Sequence, residues 1–476
     1  MNIAPPSSSF LTSFVEQIKA APLGVYDAAK DSYKLIPAAI DPLVINDDQW
    51  REMAKDSQLV LSAMQKTVRW LRKSEQRELA QAIFSDLAPN EKSVVMGVNE
   101  PDFGLATVRL DLFFDRDELR IIEVNATIPA MQAYTDMIKH AYVSAKLTEM
   151  SETRSDIQLQ SNVGDLLASL LLHYELAGGK KSKPKIAVIS RKGDSQTAEL
   201  LWIKKRWEEA GHDCILGQPE DVVLKNAALR VKDIEVDLTY RHIFASRLLK
   251  GTAFEAACNE SRKYKIFNPI SAHLEIKGLL AETSRLASDP AWAQEAGFTP
   301  EECDVTQTRV PWSRLVRSGA ATIVNGEKVK DLVAWLKANN SQIVVKRSSG
   351  YGGHDVIIGD NFFDDEVQSR VAKIIDATQP VVWADFIEFC ARQNNGVWIV
   401  QQRVPGKIMH CRYLEQGKVI ETDAYVDCSI FASTGIPFQV GGGACRLSPD
   451  PIVNIGRGGG LVPFLLQRER TALSSY

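Results

Sequence analysis

The segment from Arg109 to Asn125 reads RLDLFFDRDELRIIEVN, two apolar, alternating runs joined by a charged turn, with Arg109, Asp111, Glu123 and Asn125 all at odd positions. Period-two alternation belongs to strands buried on one face, and two such runs around a polar turn make a hairpin. A hairpin centred near Asp117 sets Asp111 opposite Glu123 and Arg109 opposite Asn125, so all four polar groups rise from one side of the ribbon. Directly opposed residues sit about 5 Å apart at Cβ. Two carboxylates, an amide oxygen and a guanidinium held that closely form an oxygen-rich pocket for a hard divalent cation carrying phosphate oxygens, a Mg²⁺ nucleotide site. The alternative is an exposed ribbon in which Arg109 merely pairs with Asp111 or Glu123, but an amide and two acids on one face exceed what solubility requires.

A chain of 476 residues exceeds one hydrophobic core and predicts two or three domains. The formal charge of -4 gives no global attraction to nucleic acid or anionic membranes, so phosphate binding has to be local. Seven cysteines, scattered and without a CxxC pair, suggest neither a disulfide framework nor a zinc set. The start lacks a basic region followed by a long apolar core, and no stretch approaches the ~20 apolar residues of a membrane span. A cytoplasmic protein is expected.

After a Pro/Ser-rich head expected to be loose, residues from about Asp47 to Ala88 carry helical spacing, with Leu59, Met64, Val68 and Leu71 as examples. Helical spacing returns after Asn125 and again from Ser161 to Glu175, ending at a lysine-rich link. From Pro184 the runs KIAVIS, CILG and VDLTYR alternate with a helix bearing Leu200, Ile203 and Trp207 on one face, the pattern of a small Rossmann-like lobe. It has no GxGxxG, which argues against a dinucleotide. Strand-like runs dominate the last part: SQIVVKR, DVIIG, PVVWADF, GVWIVQQRV, KIMHCRYLE and KVIETDAYVD.

Within IVVKRSSGYGGHDVIIG, a strand carrying Lys346 enters a Ser/Gly loop, Ser348 to Gly353, and leaves through another strand. Small residues such as Gly350, Gly352 and Gly353 let backbone amides approach phosphate oxygens, and the lysine supplies charge. The GK[ST] ending and following helix of a Walker loop are missing, so this is a flap between strands, or else a plain glycine hairpin. Lys277 lies just after a loop at the start of a helix and suits a second cation, although alone it reads as a surface lysine. GVWIVQQRVPG is an apolar strand whose backbone can meet an adenine edge, with Gln401 and Gln402 on alternate faces; ordinary sheet core is the other reading. The run GGGACRLSPDPIVNIGRGGG sets Arg446, Asn454 and Arg457 among seven glycines and predicts a loop in which Arg446 holds a carboxylate or a transferring phosphoryl group, or a flexible surface loop. Asp423 and Asp427 share a parity, so either can complete a metal site.

Together these residues resemble the ATP-grasp superfamily, specifically its rearranged branch that includes glutathionylspermidine synthetase and eukaryotic-type glutathione synthetase. There an RxD...ExN element precedes the nucleotide lysines, as Arg109, Asp111, Glu123 and Asn125 do here, and NATIPA resembles the NADTP-like continuation. VDLTYR and FNP...EIK resemble the pre-ATP-grasp domain and its exit, and VVKRSSGYGG is similar to the second lysine with its flap. The resemblance implies an α/β (α+β ATP-grasp) fold: an N-terminal mostly helical section with the metal-binding hairpin at 1–183, a Rossmann-like pre-ATP-grasp lobe at 184–275, and the ATP-grasp nucleotide-binding domain at 276–476. It implies ATP and Mg²⁺, with Asp111, Glu123 and Asn125 on the metal, Lys277, Lys346, Gly350, Gly352, Gly353 and Gln402 on the nucleotide, and Arg109 and Arg446 in catalysis. The activity implied is ATP-dependent joining of a small-molecule or peptide carboxylate to an amine through an acylphosphate. A non-catalytic or regulatory ATP-binding protein and a phosphotransferase are the alternatives. Some relatives carry a flap glutamate on Mg²⁺, whereas this flap offers only Ser348 and Ser349, and no amidase-like nucleophile domain is evident.

Overall fold

The computed structural model describes residues 6–21, 23–97, 104–115, 118–150, 160–270, 273–350, 352–353, 355–392, 397–434 and 440–467. Its largest sheet has seven strands in the order Lys407–Glu415, Ala38–Ala39, Gly460–Leu461, Val440–Ser448, Lys418–Ala432, Val108–Asp115 and Glu118–Asn125. Strands from both ends of the chain therefore share one sheet, and the early ribbon lies beside the late glycine-rich run. Within it Phe431 pairs with Arg109, Ser429 with Asp111, and Asp427 with Arg446.

Period-two alternation gives this sheet two faces of different character. Leu110, Leu112, Cys428, Ile430, Cys445 and Leu447 pack with residues of the helices Asp47–Leu71 and Lys277–Ala287. The long helix is started by Asn46, whose side chain accepts from the Gln49 amide, and it buries Val60, Leu61, Met64, Val68 and Leu71 at helical spacing. Phe431 and Ala444, on the other face, pack with residues of Gln132–Met150 and Asn162–Leu176. Arg109, Asp111, Asp427, Ser429 and Arg446 share that second face and are buried too.

Two smaller sheets flank it. The expected Rossmann-like lobe is a parallel sheet in the order Ile266–Phe267, Leu238–His242, Ile186–Ser190, Cys214–Gly217. Its crossover helix Thr197–Glu209 buries Ala198, Leu200, Ile203 and Trp207. The second is antiparallel, in the order Ser313–Leu315, Trp398–Gln402, Ile343–Arg347, Val356–Ile358, and carries Lys346 on an inner strand. Among the described residues no helix is long and apolar enough to cross a membrane.

Three local expectations are corrected. The head is not loose throughout: Ser8–Ala20 is a helix capped by Ser7 and buried through Phe10, Phe14 and Ile18, an i, i+4, i+8 stripe that outweighs the flanking serines. PVVWADF is not a strand, because Trp383–Arg392 is a helix burying Trp383, Phe386, Ile387 and Cys390. Its short apolar run suits either element, and only the continuation IEFCAR reveals the 3.6-residue period. Nor is GGGACRLS a loop; it is the strand Val440–Ser448. The glycines thin that strand for its neighbours: a Cβ at Gly442 would sit 1.7 Å from Asn162 Oδ1, and one at Gly443 would sit 2.8 Å from the Phe464 ring.

Candidate functional site

The ribbon adopts the expected register, Asp111 opposite Glu123 and Arg109 opposite Asn125, while its centre at Asp117 lies outside the described residues. Leu112 then pairs with Ile121, which leaves Ile122 as the extra residue of a bulge. Freed from the ladder, the Ile122 carbonyl accepts from Lys346 Nζ and Gln401 Nε2, both at 3.4 Å. A local irregularity in the early ribbon thus meets the late lysine.

Asp111 is the hub of the buried polar face. It accepts from Arg109 Nε at 2.7 Å and Nη2 at 3.0 Å, Ser429 Oγ at 2.9 Å, Arg446 Nη2 at 3.1 Å and Asn125 Nδ2 at 3.2 Å. Five donors saturate a carboxylate with about four lone-pair sites. Burial alone would raise its pKa, but the charges of Arg109 and Arg446, with hydrogen bonds from Arg109 and Ser429, outweigh burial and hold it well below the usual carboxylate range. Arg446 also reaches the fully buried Asp427 through Nε at 2.8 Å and through its backbone amide at 3.0 Å. The glycine-rich run therefore does not present Arg446 as a free loop cation; it is a strand residue shared by two carboxylates, and Arg109 Nη1 is bound to the Ala130 carbonyl at 3.0 Å.

The two lysines approach from the opposite wall. Lys277 stands at the first position of Lys277–Ala287, with Nζ 3.0 Å from Glu123 Oε1 and also bonded to the Gly350 carbonyl. Lys346, 6% exposed, donates to Gln401 Oε1 at 2.7 Å and has no carboxylate within ion-pair distance among the described residues. Burial, reinforced by the charge of Lys277 and opposed by Glu123 and Asp111, lowers its pKa to about 8. Ser348 and Ser349 are both engaged, Ser348 Oγ accepting from the Gly278 amide and Ser349 Oγ donating to Asp86. Gly352 and Gly353 take φ of 67° and 73°, the left-handed turn that glycine makes without strain. Tyr351 lies outside the described residues.

Between these walls lies a cleft whose empty space, open solvent included, is about 940 Å³. Arg109, Asp111, Glu123, Asn125, Lys346, Gly352, Gly353, Gln402 and Arg446 all line it; Lys277 and Gly350 stand behind that lining, bonded to each other. Val344, Val356, Ile358 and Val404 add apolar surface to the lining beside the polar cluster. Asn454 is also a lining residue, whereas Arg457 pairs with Glu366 and Asp450, and Asp423 pairs with the exposed His410. Neither Asp423 nor Asp427 is placed to add a free ligand.

Sequence reasoning named Gln401 only as the alternate-face neighbour of Gln402, without its partner Lys346, and missed Ser429 and the clamp around Asn268. Gln401 shares a face with Lys346 because Lys346 pairs with Ile399, two residues before it, a relation that needs the strand pairing and not the sequence alone. Asn268 binds Thr107 O at 2.7 Å, Thr107 N at 3.2 Å and Ala126 O at 2.6 Å, while Glu275 accepts from the amides of Ala126 and Thr127. Arg241 in turn holds the carbonyls of Asn268 and Pro269. Both ribbon ends are so fixed to the segment leaving the Rossmann-like lobe.

Chemically, the donor set suits a polyanion carrying a hard cation. Glu123 Oε2 and Asn125 Oδ1 have no partner among the described residues, and Asp111 can join them by releasing two of its five donors. No group of three or more His, Cys, Asp or Glu side chains with metal-binding geometry occurs among the described residues, so phosphate oxygens and water would have to complete the shell.

No family model and no curated protein matches the sequence. Among solved structures, a glutathione synthetase-like effector from Globodera pallida, in apo form, is similar over 96% of this chain and 96% of its own, with TM-score 0.57 and 10% identity. A candidate gamma-glutamylcysteine synthetase from Methylobacillus flagellatus KT aligns over 84% of this chain and 86% of its own, with TM-score 0.40 and 10% identity. The first likeness shows the fold: the chain has the mixed α/β fold of that glutathione synthetase-like effector.

Proposed function

We propose that this protein is an ATP-dependent ligase that joins a carboxylate to an amine, and that it follows the rearranged ATP-grasp branch, with residues 184–275 as the pre-ATP-grasp unit. The observation that carries this reading is the convergence of Glu123 and Lys346, from separated stretches of chain, on one cleft, with Lys277 paired to Glu123 behind the lining. Lys346, and Lys277 once released from Glu123, would take the phosphate oxygens, the apolar lining with Gln402 the base, and Glu123, Asn125 and a partly released Asp111 the Mg²⁺. Bound there, the metal would neutralise charge on the phosphates.

In the first step a carboxylate oxygen of the acid attacks the γ-phosphorus, the bond to the bridging oxygen breaks, and ADP leaves. The amine nitrogen then attacks the acyl carbon, loses its proton, and inorganic phosphate departs with the electron pair of the broken C–O bond. Arg446 and Arg109 would stabilise the charge that develops, and no side-chain nucleophile is needed. On the same face beyond Arg109, a small hollow lined by Thr107, Gln132, Asn162, Asp165 and Ser169 together with the apolar Leu166 and Phe431 offers room for a substrate group.

A second reading, nucleotide binding without chemistry, is favoured by the saturated lone pairs of Asp111 and the engaged flap serines. Measuring ADP release while acids and amines are screened singly and in pairs separates the two. A ligase needs both substrates, a phosphotransferase needs one acceptor, and a binder releases no ADP with any combination.

A further inference from the structure

A second cavity, of about 1150 Å³ with its open mouth, shares no lining residue with the nucleotide cleft. Its walls come from the first helix (Val15, Ile18), the strands near the N-terminus (Val25, Leu35, Ile36, Pro37, Ala38), the hairpin tip after Leu414, and the turn at Ile455, Gly456 and Gly458. The lining is mostly apolar, with Ile36 and Ala38 4% and 1% exposed, while Leu35 is left 46% exposed beside it. Such a hollow is a poor site for water and a good one for hydrocarbon.

Its charges are few and unbalanced. Lys19 and Lys34 border the cavity, both exposed and neither in an ion pair among the described residues, against the single acid Glu415. An apolar body with one anionic head matches that pattern: the chain enters the hollow while the head remains at the lysines.

The cavity also shares a wall with the nucleotide cleft. Pro451, Ile452, Val453 and Asn454 line the cleft, and the residues that follow them directly line the second cavity. Asn454 ties the two sides together, because its Oδ1 accepts from the Gly456 amide at 2.7 Å and its carbonyl accepts from the Gly459 amide at 3.0 Å. A ligand that orders Ile455–Gly458 therefore orders the cleft wall as well, and linkage makes the effect reciprocal.

We infer that this cavity is a binding site for a small amphipathic carboxylate, and that its occupation raises affinity in the adjacent cleft. The coupling rests on the nucleotide reading above; the site does not. The test is calorimetric titration of the full chain with octanoate, with 1-octanol and octylammonium as controls, repeated on Lys19→Glu/Lys34→Glu and on Val25→Trp, which narrows the hollow. The expected result is one octanoate per chain, bound at least tenfold more tightly than either control and weakened at least tenfold in both variants. Saturating octanoate should tighten a fluorescent ATP analogue at least threefold, and ATP should tighten octanoate by the same factor. Absence of octanoate binding, equal binding of octylammonium, or unchanged affinity in the lysine variant overturns the site. Octanoate binding with an unmoved ATP affinity overturns the coupling, and octanoate binding by a chain that takes no ATP sinks the nucleotide reading while the site stands.

Discussion

Lys277 Nζ lies 3.0 Å from Glu123 Oε1, so a residue of the early ribbon and the first residue of a helix more than 150 positions later form an ion pair at the edge of the cleft. Both are buried or partly buried, which makes the pair less screened than a surface bridge. A phosphate arriving with a cation gives each partner a new counter-charge. In the proposed ATP site the pair would serve as a placeholder that the ligand replaces without leaving either charge alone.

From this follows an outcome for Glu123→Gln. The proposed metal would lose the carboxylate whose Oε2 is without a partner among the described residues, so the Mg²⁺-dependent part of ATP-analogue binding should fall by roughly tenfold or more. Binding without Mg²⁺ should be unchanged or tighter, because Lys277 no longer has a competing anion. Fluorescence titrations with and without Mg²⁺ decide it, and equal loss in both conditions would refute the assignment.

Lys346 predicts a pH dependence. Burial lowers its pKa to about 8, so the side chain is charged at pH 7 and increasingly neutral by pH 9. Nucleotide affinity should accordingly weaken as pH rises through about 8, and Lys346→Met should remove that step while lowering affinity at pH 7 by about tenfold or more. For stability the sign is opposite: between the folded value and the unfolded value near 10.4 the unfolded chain binds more protons, so this group's cost to folding is relieved as pH rises. A flat binding profile from pH 7 to 9 in the wild type would count against Lys346 as a phosphate cation.

The Arg446–Asp427 pair separates folding from chemistry. Asp427 is wholly buried, and removing its partner by Arg446→Ala should cost roughly 3–5 kcal/mol, the penalty of an unpaired buried charge. Arg446→Met/Asp427→Leu should recover most of that loss in denaturant melts yet leave turnover at least a hundredfold down. Recovery of turnover in the double variant would confine Arg446 to a structural role.

The sequence carried the open end of the ribbon, though not its bulge at Ile122, because period-two alternation and parity are local properties. Arg109, Asp111, Glu123 and Asn125 stand in the register that simple counting supplies. It carried the parallel lobe for the same reason. What it could not carry is partnership across the chain: that Asp111 is enclosed by Ser429 and Arg446, that Gln401 holds Lys346, or that Asn268 clamps Thr107 and Ala126. Glycine misled as well, since the run before Arg446 is thinned for close packing and not for flexibility. Both facts depend on what lies opposite, which no single stretch of sequence records.

The Asn268 clamp can be tested by Asn268→Ala. Three buried backbone groups would lose their partner, at a cost on the order of 2–5 kcal/mol. As a positioning effect, the loss should concentrate at the ribbon ends: amide exchange at Thr107 and Ala126 should accelerate well beyond that of the Rossmann-like strands. Uniform acceleration across all sheets would mean that Asn268 contributes only global stability.

Glu199 offers a last prediction, in which pH reports on the loop that follows Asn125. Its carboxyl is 1% exposed, accepts from the Met131 amide at 2.8 Å and the Ala133 amide at 3.0 Å through Oε1, and leaves Oε2 with no partner. Burial outweighs those two bonds and raises its pKa to about 7. A carboxyl whose folded value lies above the unfolded one binds more protons in the folded state, so its contribution is favourable at low pH and lost as pH climbs through about 7. Glu199→Gln keeps the Oε1 acceptor and removes the ionisation. The variant should exceed the wild type by only about 1 kcal/mol at pH 5 and by on the order of 3 kcal/mol at pH 8, measured by denaturant unfolding. A variant less stable than the wild type at pH 8 would mean that the charged carboxylate itself holds Met131 and Ala133, reversing the sign of the effect.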